Sequence, residues 1–96
     1  MLIRWSDPAA EDLQNILNYF ITENDEETGQ YIVTRLFHSV DRLADFPYSG
    51  RLGEVKGTRE LVPKGLPYLL IYHIPTDKYV EILAVIHTSR LREKKD

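Results

Sequence analysis

The spacing of apolar positions changes once along the chain, near residue 50. Residues 2–6 form a short β-prone run that stops at Asp7-Pro8, where Ser6 or Asp7 can cap a helix and Pro8 fits its first turn. From there Ala9, Leu13, Ile16, Leu17 and Phe20 make the stripe of an amphipathic helix that runs to about Thr22, with Glu11, Asp12, Gln14 and Asn18 facing outward. Residues 23–27 interrupt the stripe, and Asn24 followed by Glu27 has capping-box spacing. A second helix then turns Ile32, Val33, Leu36, Phe37, Val40, Leu43 and Ala44 inward until Phe46-Pro47 stops it. Gly29 weakens its first turn by about 1 kcal/mol relative to Ala. The short linker implies an antiparallel helical hairpin, and Trp5 and Phe46, which flank it, read as core.

After turn chemistry at 47–50 and 53–57 the period falls to 2, which predicts strands over 58–62, 68–74 and 79–86, the last two joined by a tight turn through 75–78. Val80, Ile82, Ala84 and Ile86 share one face of the last strand; Glu81, Leu83, Val85 and His87 share the other. Apolar residues on both faces predict a central strand. The fold class is therefore α+β, in the order β-α-α-β-β-β: an antiparallel helical hairpin packed on one face of a mainly antiparallel four-stranded sheet. The other sheet face stays partly open and is the expected working surface. Residues 1–87 make this single domain and 88–96 a charged C-terminal tail whose one large apolar residue is Leu91.

Charge follows the same division. Residues 1–50 hold 9 acids and 3 bases, net −6, whereas 51–96 hold 6 acids and 9 bases, net +3. The total of −3 argues against a nucleic-acid coat protein, and the apolar content against a disordered acidic chain. The acidic half reads as the solvated back of the hairpin, needing solubility and little else, and the basic half as the side that meets a partner. No cysteine is present, so there is no disulfide, thiolate nucleophile or Cys-based zinc site. With no apolar leader and no membrane-length apolar run, the expected location is cytoplasmic.

Chemistry-bearing motifs are sparse. His38, His73 and His87 are too scattered for a metal-ligand pair, and no phosphate-cradling glycine motif occurs, so neither metal nor cofactor is expected. Tyr68 and Tyr72 share one strand face near Arg59 and Lys64. Rings beside cations can stack on bases and neutralise phosphates, or they can pack in the sheet with their hydroxyls satisfied at its rim. His87, at a strand end and followed by Arg90 and Arg92, is suited to proton transfer or to a structural role.

Several short patterns stand in order along the chain: Ile3-Arg4-Trp5-Ser6 followed by Ala9 and Asp12-Leu13; Leu43-x-x-Phe46-Pro47-x-x-Gly50; Gly57-Thr58-Arg59-Glu60-Leu61; Pro67-Tyr68-x-x-x-Tyr72-x-Ile74; and Val80-Glu81-Ile82-Leu83-x-Val85-x-His87. In this order the chain resembles the RelE/ParE superfamily of bacterial type II toxin-antitoxin toxins, or plasmid stabilisation proteins, and lies closer to the ParE-like branch. The resemblance implies a toxin held by a cognate antitoxin in a hetero-oligomer, with DNA gyrase as the target. The alternatives are a RelE-like, metal-independent endoribonuclease acting on ribosome-bound mRNA, and an inactive antitoxin-binding homologue. In the nuclease case Arg59 matches the family's strand arginine, stabilising charge, and His87 its strand-end general acid or base. Lys64, Tyr68, Tyr72 and Arg90 are the expected target or nucleic-acid contacts. Arg51, Lys56, Arg59, Arg90 and Arg92 are the expected antitoxin contacts, by charge complementarity to an acidic segment.

Overall fold

A computed structural model describes residues 1–89. Arg90 and Arg92, with most of the charged tail, lie outside the described residues. The elements are β1 (Leu2–Trp5), α1 (Asp7–Thr22), α2 (Glu26–Asp45), β2 (Arg51–Leu52), β3 (Thr58–Leu61), β4 (Tyr68–Thr76) and β5 (Tyr79–His87). They form one five-stranded sheet ordered β1-β5-β4-β3-β2, in which β1 runs parallel to β5 and the other neighbours are antiparallel. The four-strand expectation is thus one strand short. Arg51 and Leu52 look like part of a turn because two residues carry no periodicity, but they pair with Glu60 and Arg59 and give the sheet its outer edge.

Ser6 is the cap of α1, its Oγ accepting the Ala9 N–H at 3.2 Å. The same hydroxyl donates to the Leu83 carbonyl, so one side chain starts the helix and ties it to β5. The cap of α2 is Asp25, whose carboxylate accepts the Thr28 N–H, and not Asn24. Asn24 instead sits at φ 57°, the left-handed position that ends α1, while Asp25 N–H returns to the Phe20 carbonyl at 2.7 Å. Gly29 has a packing reason. A Cβ there would stand 2.9 Å from Phe20 Cβ, so its absence lets the two helices approach closely.

The core lies between the hairpin and one sheet face: Ala9, Leu13, Ile32, Leu36, Val40 and Leu43 meet Tyr68, Leu70, Tyr72, Val80, Ile82 and Val85. The apolar stripes of both helices are confirmed at these positions. β5 is central, as its two apolar faces predict, but its alternation breaks. Tyr72 pairs with Ile82 and Ile71 with Ala84, which leaves Leu83 as an extra residue in a β-bulge. Beyond the bulge the faces exchange, so Val85 joins the core and His87 lies on the helix-covered side.

Two aromatic assignments to the core need correction. Phe46 is 62% exposed at the end of α2, and Phe37 is 42% exposed, its ring packed edge-on against Trp5 at 5.3 Å between centroids. No helix among the described residues is long and apolar enough to cross a membrane.

Candidate functional site

The side chains marked by the sequence fall into three separate places. The first is a groove between α1 and the ends of β4 and β5. Asp12, Asn15, Ile16, Tyr19 and Phe20, one face of α1, stand opposite Pro67, Tyr68, Val85, His87 and Ser89 around about 560 Å³. Asp12 is not the outward residue its position in the helix suggests. Its carboxylate accepts the Val85 N–H at 2.8 Å, satisfying backbone just beyond the bulge. Tyr68 and His87 are cross-strand partners whose rings meet edge-to-face at 5.2 Å. Burial and the nearby Tyr19 push the Tyr68 hydroxyl above its ordinary pKa.

His87 Nδ1 accepts the Ser89 N–H at 3.1 Å and lies 2.8 Å from the Ser89 hydroxyl. With Nδ1 accepting, the neutral ring carries its proton on Nε2.

The second place is a corner built on β2 and β3. Tyr72 is fully buried, and its hydroxyl accepts the Gly50 N–H at 2.9 Å while donating to the Pro47 carbonyl at 2.8 Å. Desolvation raises its pKa, with Gly50 and Arg59 opposing. Its ring cannot meet a base, so the role of nucleic-acid contact does not fit Tyr72 in this fold. Of the two readings of this tyrosine pair, packing in the sheet holds for Tyr72, and Tyr68 is only 7% exposed. Arg59 donates to the carbonyls of Gly50 (2.7 Å) and Tyr48 (3.3 Å) and lies 5.0 Å from the Tyr48 ring centre. Arg51 pairs with Glu60 at 3.1 Å. Lys56 and Lys64 are exposed, without ion-pair partners among the described residues.

The two residues cast as a catalytic pair are not brought together. Arg59 is in register with Tyr72 and His87 with Tyr68, four residues away along β4, or about 13 Å at the rise of a strand.

The third place is the uncovered sheet face, where Arg4, Glu81, His73 and Thr58 stand in register across four strands. His73 Nε2 meets Glu81 at 2.7 Å, and Arg4 lies over the Tyr79 ring at 4.5 Å. Its cations face partners already in place. Among the described residues no group of three or more His, Asp or Glu is placed to hold a metal ion.

Sequence reasoning missed Tyr48, 67% exposed beside Arg59, because one tyrosine in a turn has no periodicity to mark it. It also passed over Arg35 and Arg42, which share a stripe of α2 with Ser39 and Phe46 at helical spacing.

The family described as "ParE toxin of type II toxin-antitoxin system, parDE" matches residues 3–92. The chain belongs to the ParE toxin family. A curated relative in Sinorhizobium fredii (strain NBRC 101917 / NGR234), named "Putative toxin Y4kP", is 44% identical over 88 residues, covering 92% of this chain and 88% of that protein. Among solved structures, a chain of the "Chromosomal ParDE TA system from P. aeruginosa" superposes with a TM-score of 0.80 at 25% identity, over 91% of this chain and 95% of its own. The ParE-like branch of the RelE/ParE resemblance is the one these matches support. The ParE fold here is a helical hairpin on a five-stranded sheet, and the chain is a toxin of the type II toxin-antitoxin class.

Proposed function

We propose that this ParE-family chain is neutralised by a cognate antitoxin and, when released, inhibits DNA gyrase. The observation that carries the reading is the family match along residues 3–92. The separation of Arg59 from His87 and the commitment of Arg59 to two carbonyls favour a protein-binding toxin over a nuclease. A nuclease needs its charge-stabilising and proton-transferring groups around one reacting atom. Purified chain added to gyrase and plasmid DNA should block supercoiling and trap cleaved complexes. Codon-specific mRNA cleavage with gyrase untouched would replace this reading with the ribosome-dependent one, and no growth effect on expression without antitoxin would favour the inactive homologue.

For the antitoxin, the structural likeness to a chain of a ParDE system supports a toxin-antitoxin assembly. Exposed Lys56, and Arg51 on the short edge strand β2, offer charge and free backbone groups to an acidic, partly extended segment. Replacing Arg51 and Lys56 together should weaken antitoxin binding more at low salt than at high. A loss independent of salt would make the contact mainly apolar.

A further inference from the structure

The acidic hairpin is not merely a solvated back, because one stripe of α2 carries the opposite charge. Arg35, Ser39, Arg42 and Phe46 follow each other along that stripe. Ser39, Arg42 and Phe46 form one wall of a groove of about 350 Å³, and Leu61, Val62, Pro63 and Lys64 form the other, with Ser49 at its end. The volume is at the small end of ligand pockets and suits a side chain or two. No carboxylate lines it. Arg35, Arg42 and Lys64 have no ion-pair partner among the described residues.

The groove is held in shape from below. Arg35 donates to the Lys64 carbonyl at 2.6 Å and to the Tyr31 hydroxyl at 2.9 Å, pinning the connection between β3 and β4 onto α2. The Leu66 N–H returns to the Pro63 carbonyl, closing the turn that presents Lys64. A fixed rim spends little ordering entropy when a partner docks. Arg42, in the last turn of α2, and Lys64 are the two charged residues of the lining, which is therefore net positive. Phe46, Leu61, Val62 and Pro63 give the walls an apolar surface, and Phe46 and Val62 are 62% and 47% exposed, although both are large enough to be worth burying.

From this combination we infer that the groove between α2 and residues 61–64 anchors an acidic peptide segment, which inserts one bulky apolar side chain and sets its carboxylates on Arg42 and Lys64. A nucleic acid would find two cations and the single ring of Phe46, with no second aromatic in the lining to stack a neighbouring base, and an uncharged apolar segment would leave both cations unanswered. The inference is independent of whether gyrase is the target.

The test is selection of displayed random peptides, about a dozen residues long, on the immobilised full chain. The recovered peptides are then titrated against wild type, Arg42→Gln/Lys64→Gln and Phe46→Ser, each checked for an unchanged circular dichroism spectrum. Recovered peptides should combine acidic residues with Leu, Phe or Trp. They should lose about 10-fold or more in affinity on the double charge variant and bind more weakly as salt rises. Phe46→Ser should weaken the same peptides while leaving their salt dependence in place. Peptides without acidic bias, or equal binding to the double variant, would overturn the assignment. So would a single-stranded RNA or duplex DNA probe whose binding, unlike the peptides', is lost on that variant.

Discussion

Tyr68 and Tyr72 lie four residues apart on one face of one strand, and their surroundings divide them. Both face the hairpin, both are nearly or fully buried, and burial pushes both hydroxyls above the ordinary tyrosine range. Tyr72, at the corner end, closes two hydrogen bonds and clasps the turn that leads into the edge strand. Tyr68, at the groove end, sets its ring against that of His87 and lines an opening. Residue type and strand position are shared. What separates a structural tyrosine from one that borders a site is whether another part of the chain supplies partners for its hydroxyl.

The contrast is broken most severely at the turn that Tyr72 holds. A Cβ on Gly50 would stand 2.5 Å from the Tyr72 hydroxyl and 2.7 Å from the Glu60 carbonyl, and the backbone atom cannot move aside cheaply. Gly50→Ala is expected to cost about 3 kcal/mol in denaturant unfolding. Tyr72→Phe keeps the ring but strands the Gly50 N–H, for an expected loss of about 2 kcal/mol. If it unfolds like wild type, the clasp carries no weight.

Asp12→Ala, which removes the acceptor of the Val85 N–H, should lose about 1.5 kcal/mol. Tyr68→Phe and His87→Ala should each change stability by less than about 0.5 kcal/mol. Growth inhibition should also survive His87→Ala. Loss of toxicity in a fully folded His87→Ala protein would restore a proton-transfer role.

The tyrosines also set a pH signature. A hydroxyl whose pKa is higher in the folded state holds its proton there after the unfolded chain has released it. The stabilisation is complete below the ordinary value of about 10 and is lost as pH climbs through the folded value. Unfolding free energy should therefore decline above about pH 10, less steeply in Tyr72→Phe and Tyr68→Phe than in wild type. Parallel profiles in all three proteins would remove both groups as the cause.

Much of this organisation is legible in the order of residues. Helical spacing from Ala9 to Phe20 and from Ile32 to Leu43, and alternation in β4, mark elements that fold as expected because their burial pattern is periodic. The readings that fail are local competitions between neighbours. Asn24 and Asp25 are both good caps, and the left-handed turn at Asn24 leaves the capping to Asp25. A bulge at Leu83 reverses the facing of every residue after it, which places His87 beside α1 and moves Val85 into the core. No alternation rule anticipates one inserted residue.

By itself, the sequence determined the α+β class, the hairpin, the central place of the last strand and the family resemblance, since these depend on periodicity and residue order. Only the tertiary structure decided which charged and aromatic side chains remain available to a partner. Arg59 and Tyr72 are consumed by carbonyls and an amide nine or more positions away, whereas Arg42, unremarked on an acidic helix, and Phe46, read as core, are left facing a groove. Hydrogen bonds and burial between distant segments settle that allocation, and they exist only once the chain has folded.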